Sequence, residues 1–93
     1  MNREECLKEA DRCVNGERDE QYGSPENNFQ HIANMWEVYL RATGEGVELN
    51  VHDVACMLAL LKIARIATGK AKEDNWIDLA GYAACGCEIQ TGM

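Results

Sequence analysis

The sequence has 93 residues, of which 46% are hydrophobic, and a formal net charge of −7 at neutral pH. This length and composition indicate one globular domain and exclude a disordered chain. The negative charge argues against a nucleic-acid-binding surface, which needs clustered Lys and Arg, and against attachment to anionic membranes.

The first two predicted helices are separated by a charged loop. The first helix, residues 2–14, is mostly polar and has one narrow apolar seam. Ser24-Pro25-Glu26 marks the start of the second helix, because Ser is a favoured N-cap, Pro suits the first helical position and an acid is stabilised near the positive end of the helix dipole. We predict that this helix covers residues 25–42.

The second helix carries one apolar stripe at helical spacing, which predicts its buried side. The stripe consists of Phe29, Ile32, Trp36, Tyr39 and Leu40. The predicted solvent-facing side consists of Glu26, Gln30, Asn34, Glu37 and Arg41. Asn28 lies at the edge of the buried stripe, where a polar side chain needs a partner.

The third predicted helix, residues 51–68, is apolar on every face. Asn50 is its N-cap, and Asp53 completes a start that resembles a capping box. A helix that is apolar all round must be surrounded by other elements, so we expect this helix at the centre of the fold. Lys62 and Arg65 lie three residues apart within it, so both project from one face.

The fourth predicted helix, residues 74–90, follows a short turn and has two different sides. Residues spaced by three or four positions form a polar ridge, which consists of Asp74, Asn75, Asp78 and Tyr82. The opposite side holds Trp76, Ala80, Ala83 and Ala84. Gly81 lies between them and allows a neighbouring backbone to come close.

These four helices predict an all-α four-helix bundle, since no segment alternates for long enough to indicate a strand. The apolar third helix contains charged residues, which indicates a core helix and not a transmembrane one. Three short neighbours cannot cover this helix completely in a chain of 93 residues. We therefore also expect a homo-oligomer, with a dimer as the first candidate.

The short turn between the third and fourth helices makes them antiparallel neighbours, which predicts a polar cluster beside the turn. Counting outward from the turn, the first expected ion pairs are Arg65–Asp74 and Lys62–Asp78. The side chains that can reach this region are Lys62, Arg65, Asp74, Asn75, Asp78, Tyr82, Asn28 and Tyr22.

Two interpretations of this cluster are open at the level of sequence. In the structural one, buried salt bridges and hydrogen bonds fix the register of the helices. In the functional one, the cations bind phosphate and the carboxylates hold a metal or activate water. No metal is expected, and Asp78 and Asp74 would be the ligands if one binds. Structural networks and functional sites share the same residue types, so the pattern alone does not separate them.

Four segments together resemble a family of small phage and prophage proteins of unassigned function. The segments are Tyr22–Phe29 (YGSPENNF), Trp36–Leu40, Asp53–Gly69 (DVACMLALLKIARIATG) and Asp74–Gly86 (DNWIDLAGYAACG). The match covers roughly residues 19–88, which is most of the chain.

A Tyr-Gly loop, a K-x-x-R helix and a D-x-x-x-D-x-x-x-Y helix are also similar to a phage nucleotide-modification-associated domain and to MazG-like all-α nucleotide pyrophosphohydrolases. This resemblance implies a nucleotide- or phosphate-binding site, with magnesium only if hydrolytic chemistry is retained. MazG-like enzymes bind magnesium through an E-E-x-x-E helix followed by an E-x-x-D helix. Asp78 matches the final Asp, but Asn75 stands at the Glu position of that second motif. The preceding helix has Lys62 and Arg65 where glutamates would be expected.

The departures from the MazG-like motif leave open whether the chain catalyses any reaction. The favoured hypothesis is a phage-derived protein with a nucleotide- or phosphate-binding site. The alternative is a non-enzymatic interaction module of phage origin that binds a protein partner and contains a structural salt-bridge cluster.

The N-terminal segment and the cysteines indicate the cellular compartment of the protein. The first twelve residues are highly charged and lack the apolar core of a signal peptide. Five cysteines, an odd number, lie on predicted helices, which favours free thiols in a reducing compartment. With the resemblance to phage proteins, these features predict a cytoplasmic protein of a bacterial host cell with no membrane partner.

The residue motifs of zinc sites, phosphate loops and nucleophilic catalysis are not found in this sequence. Cys85-Gly86-Cys87 lacks the C-x-x-C spacing of a zinc site and has no second ligand pair. His31 and His52 are interpreted as surface or capping residues. No Gly-rich phosphate loop, nucleophile elbow or Cys/His dyad is recognisable.

Overall fold

The computed structural model describes residues 1–16, 24–69 and 72–92, and these residues form four α-helices and no strand. The helices are α1 (Arg3–Asn15), α2 (Pro25–Ala42), α3 (Val51–Thr68) and α4 (Glu73–Thr91). The predicted all-α four-helix bundle is confirmed, and each helix boundary lies within one residue of the predicted one. None of the helices in these three ranges is long and apolar enough to cross a lipid bilayer.

Side chains at the helix starts explain where α2 and α3 begin. Ser24 Oγ accepts a hydrogen bond from the Asn27 N–H at 3.3 Å. At α3, the Asp53 carboxylate accepts one from the Asn50 N–H at 2.8 Å, which is the acidic half of the predicted capping box. Such contacts satisfy backbone donors that have no partner inside the helix.

The core is small and lies where α2, α3 and α4 meet. Its buried residues are Phe29, Ala33, Val54, Ala55 and Cys85. α4 contacts all three other helices and packs most extensively against α3. The structure therefore differs from the expectation that α3 is central, since within the described ranges α3 packs against α2 and α4 and α1 packs against α4.

Glycines on two sides of α4 explain why this helix can occupy the centre. Gly81 is buried, and a Cβ at this position would lie 3.0 Å from Val14 Cγ1 of α1. A Cβ at Gly86 would lie 3.2 Å from the Ala55 Cβ of α3. The close approach predicted at Gly81 is present, and the missing side chains let α4 pack closely against two neighbours.

One residue of the predicted α2 stripe faces outward. Phe29 is buried, and three other members of the stripe are half-buried, but Tyr39 is 68% exposed. The prediction for Tyr39 was wrong because the apolar residues of α2 occupy more than one side. Met35 and Val38 are exposed on the same outer part of the helix as Tyr39.

Candidate functional site

The predicted ion pair between α3 and α4 is present. Lys62 Nζ lies 2.7 Å from Asp78 Oδ2. Lys62 is only 8% exposed and is the one buried charged residue in the described part of the chain. Removing the partner of a buried charge costs several kcal/mol, so Lys62 depends on this carboxylate. The pair therefore fixes the register of α3 against α4.

The Lys62–Asp78 pair borders an open cleft beside the turn between α3 and α4, which we call the turn cleft. Its volume is about 500 Å³, which lies within the range of small-molecule sites. The turn cleft is lined by Lys62, Arg65, Thr68, Gly69, Lys72, Asp74, Asn75 and Asp78.

Five of the predicted candidate residues line the turn cleft together: Lys62, Arg65, Asp74, Asn75 and Asp78. Arg65 and Asp74 were expected to form an ion pair, but within the described residues they form none. Both side chains are exposed, so water screens their attraction and nothing holds them in one geometry. Arg65 and Lys72 have no ion-pair partner anywhere in residues 1–16, 24–69 or 72–92.

Asn28 and Tyr82 were expected beside the same cluster, but they line a separate cavity between α1, α2 and α4. This inner cavity has a volume of about 30 Å³, roughly the space of one water molecule. Tyr82 lies one turn farther from the α3–α4 turn than Asp78, and its ring packs near that of Phe29 with 6.5 Å between centroids. Asp78 lines both spaces. Tyr22 lies outside the described residues.

The N-terminus of α4 borders the turn cleft and has no side-chain cap. Its N-cap residue is Lys72, whose ammonium group has no acceptor to offer, so the N-cap side chain makes no capping hydrogen bond. α2 differs, because Ser24 caps it. The first turn of α4 carries the partial positive charge of the helix dipole at the edge of the turn cleft, and its acidic residues Glu73 and Asp74 offset part of this charge.

The turn cleft differs in charge from the rest of the chain. Its lining contains three cations, Lys62, Arg65 and Lys72, and two carboxylates, Asp74 and Asp78. Three positive and two negative charges give +1, in a chain whose net charge is −7. The lining is thus a local cationic site on an acidic protein.

Two features of the site region were missed from the sequence. Lys72 was interpreted as part of a plain turn, although its position between the K-x-x-R helix and the acidic start of α4 was a usable signal. Glu37 was assigned to the solvent-facing side of α2, but its Oε2 accepts a hydrogen bond from the Leu49 N–H at 2.6 Å. This bond holds the segment that leads into α3, and no local pattern indicates a contact between residues twelve positions apart.

The metal-binding residue types are dispersed in the described structure. Among residues 1–16, 24–69 and 72–92, no group of three or more His, Cys, Asp or Glu side chains is arranged to hold a metal ion. His52 lies at the start of α3, with its Nε2 3.5 Å from Asp53 Oδ1, and His31 is exposed. Cys6, Cys13, Cys56 and Cys87 are free thiols, as expected.

The chain belongs to the family described as a domain of unknown function, DUF6378, whose model matches residues 5–90. The Gene 55 protein of Mycobacterium phage D29 is 40% identical over 82 residues, covering 88% of this chain and 51% of that protein. The Gene 55 protein of Mycobacterium phage L5 is 42% identical over 77 residues, covering 83% of this chain and 47% of that protein.

The chain therefore spans about half the length of these curated relatives. No solved structure is a significant match. The predicted resemblance to small phage proteins of unassigned function is confirmed. The relation to MazG-like enzymes is not shown by these matches and stays a prediction.

Proposed function

We propose that this phage-type protein binds a phosphate-bearing ligand in the turn cleft, with a nucleotide as the first candidate. The observation that carries the proposal is the start of α4, which lacks a side-chain cap and lies beside Arg65 and Lys72. Helix N-termini bind phosphate through free backbone N–H groups and the helix dipole. Flanking cations add charge and, for Arg65, a bidentate geometry.

The three cations of the turn cleft differ in their freedom to bind a ligand. Lys62 is buried and already bonded to Asp78. Arg65 and Lys72 are exposed and make no ion pair with any described residue. In this proposal, Lys62 and Asp78 form the fixed wall of the turn cleft, and Arg65 and Lys72 supply the contacts to phosphate.

Of the two spaces that the predicted candidate residues line, the turn cleft is the larger. Its volume of about 500 Å³ can hold a nucleotide-sized ligand. The inner cavity, at about 30 Å³, holds no more than about one water molecule. Asn28 and Tyr82 line the inner cavity and not the turn cleft, so in this proposal they do not contact the ligand.

We propose binding without a dedicated metal centre. Magnesium would find only Asp74 and Asp78 in the described lining, and Asp78 is engaged with Lys62. Octahedral magnesium commonly binds one or two protein carboxylates together with substrate phosphates. Magnesium thus enters this proposal only with a bound nucleotide, and hydrolysis of the MazG-like kind is not part of it.

The runner-up function is a non-enzymatic interaction module in which the cluster is purely structural. The observation that favours it is the burial of Lys62 at 8% exposure together with its short bond to Asp78. A pair of this kind fixes helix register without any ligand. In that case Arg65 and Lys72 are ordinary solvent-exposed cations.

A thermal-shift screen separates the two functions. The ligands are inorganic phosphate and nucleoside mono- and triphosphates, each with and without magnesium. A ligand present at 100 times its Kd adds about 2.7 kcal/mol to the free energy of unfolding, and each 1 kcal/mol raises the Tm of so small a domain by about 4–8 °C. A flat screen would favour the interaction module.

A matched pair of arginine variants locates the site. Arg65→Ala should remove most of the ligand-induced shift, because it removes one of the two exposed cations of the turn cleft and the only one with bidentate geometry. Arg41→Ala is the control, since Arg41 is also exposed and also lies in the last turn of its helix. Equal loss of binding in the two variants would contradict the assignment of the ligand to the turn cleft.

A further inference from the structure

α3 presents apolar side chains on the side that faces away from the core. Leu60 is 61% exposed, and Met57 and Ile63 are exposed as well. Cys56, Leu60 and Ile63 follow one another at intervals of four and three residues, so they lie along one side of the helix. This side is opposite the buried Val54.

α4 presents a second apolar stripe, whose residues Trp76, Ala83 and Cys87 follow one another at intervals of seven and four residues and so lie along one side of the helix. Trp76 is 52% exposed, and Ala83 and Cys87 are exposed farther along the helix. Cys56 of α3 lines the same open groove as Ala83 and Cys87, and this groove has a volume of about 350 Å³. The two stripes therefore lie side by side on one surface of the antiparallel pair.

This surface contains no charge. Between residues 54 and 68 the only charged side chains are Lys62 and Arg65, and between residues 76 and 87 the only one is Asp78. All three line the turn cleft and not the apolar stripes. A contiguous apolar surface without charged side chains is typical of an interaction site.

We propose that this surface, which we call the α3–α4 face, is a homodimer interface covered by the same face of a second copy. The α3–α4 face consists of Cys56, Leu60, Ile63, Trp76, Ala83 and Cys87. The proposal is independent of the turn cleft and of its ligand.

The accessible area shows that one chain leaves room for such an interface. The chain exposes 6801 Å², whereas a folded monomer of its mass exposes about 5,400 Å². The excess is about 1,400 Å², and a stable interface of standard size buries about 800 Å² on each partner. An interface of that size would remove a little over half of the excess exposed area of each chain.

Charge and shape favour a second copy as the occupant. A chain of net charge −7 repels its own copy over an acidic surface, so self-association must use an uncharged face. The face has small residues around its groove at one end and the large Leu60, Ile63 and Trp76 nearer the turn. In a twofold arrangement with the helix pairs antiparallel, the large end of one copy covers the small end of the other. The spacing by four and three residues is that of helices packed in bundles.

Sedimentation of the full chain at micromolar concentration tests the dimer, which should have twice the mass of one chain. Leu60→Glu should give the single-chain mass, because it places a charge in the centre of the face. Leu7→Glu is the matched control, since Leu7 is 64% exposed on α1, outside the face. A single-chain mass for the unmodified protein, a dimeric Leu60→Glu variant, or dissociation by both variants would overturn the proposal. If the unmodified protein has the single-chain mass, a different protein would be the partner that covers the α3–α4 face.

Thiol protection in the unmodified protein provides a second test that does not depend on a variant remaining folded. Cys56 and Cys87 lie on the face, whereas Cys6 lies on α1. Alkylation of Cys56 and Cys87, followed by mass spectrometry, should slow severalfold as the protein concentration rises through the dimer Kd. The rate at Cys6 should stay constant. Rates at Cys56 and Cys87 that do not depend on concentration would overturn the proposal.

Discussion

Leu60 and Lys62 lie two residues apart on α3, and their environments are the reverse of what their side chains favour. Lys62 is 8% exposed, and Leu60 is 61% exposed. The buried lysine is stable because Asp78 neutralises it at 2.7 Å. Leu60, by contrast, is left largely uncovered by the described residues. The comparison teaches that the polar partner of α3 lies inside the chain, whereas its apolar partner, by our proposal, lies outside it.

The largest expected effect comes from breaking the buried pair. Asp78→Ala leaves the buried Lys62 ammonium without its partner and should lower the free energy of unfolding by up to about 3 kcal/mol, because the Asp78 side chain is 34% exposed at the edge of the turn cleft. Urea unfolding followed by circular dichroism measures the loss. Asp74→Ala is the matched control, and we expect it to change stability by less than about 0.5 kcal/mol, because Asp74 is exposed and makes no ion pair with the described residues.

The double variant Lys62→Met with Asp78→Leu sharpens this result. Replacing both partners of a buried pair by apolar residues of similar size is often neutral. We expect the double variant to recover most of the stability that Asp78→Ala loses. A double variant as unstable as the single one would contradict the view that the unpaired charge causes the loss.

A smaller effect is expected on the side of α3 that packs on α2. Glu37→Ala removes the acceptor of the Leu49 N–H and should cost about 1–3 kcal/mol. Glu37→Gln keeps an acceptor oxygen at this position and should cost less. Equal unfolding midpoints for the two variants would show that the carboxylate does not hold the segment that leads into α3.

Arg65→Ala should separate binding from stability. Because Arg65 is exposed and forms no ion pair within the described residues, its removal should change the free energy of unfolding by less than about 0.5 kcal/mol. The same change should remove most of the phosphate binding. Urea midpoints measured without ligand give the first result, and a stability loss comparable with that of Asp78→Ala would place Arg65 in the structural network.

The smallest effect is expected from the exposed ion pair of α1, which contrasts with the buried pair. The hydrogen bond from Arg12 holds the pKa of Glu9 below its ordinary value of 4.5, against a weaker opposing effect of desolvation. A pKa that is lower in the folded state than in the unfolded state stabilises the fold at pH values above the unfolded-state pKa. This contribution is lost as the pH falls through the folded-state pKa. Unfolding midpoints of Glu9→Gln and the unmodified protein should therefore differ slightly at pH 7 and converge as the pH falls through the pKa of Glu9 in the folded protein. A difference between the two unfolding midpoints that grows as the pH falls would contradict the lowered pKa of Glu9.

Features that depend on the local spacing of residues could be predicted from the sequence. Ser24 and Asp53 mark helix starts, and the short turn between α3 and α4 was enough to predict the Lys62–Asp78 pair. Helical periodicity and antiparallel packing determine both results without knowledge of the remaining chain.

Features that depend on which apolar side is covered could not be predicted. α3 is apolar all round, so its sequence does not distinguish the side that packs on α4 from the side that carries Leu60. The same ambiguity made Tyr39 look buried. Tyr82 was placed in the cluster because it follows Asp78 by four residues, but the helix packing turns it toward the inner cavity.

Phosphate binding at the turn cleft can be observed residue by residue in an NMR titration of the ¹⁵N-labelled protein with inorganic phosphate. We expect shifts of the amide signals of Gly69, Asp74 and Asn75, because these residues line the turn cleft beside the uncapped start of α4. The shifts should largely disappear in Arg65→Ala and persist in Arg41→Ala. Amide shifts confined to other parts of the molecule, or none at millimolar phosphate, would contradict the account.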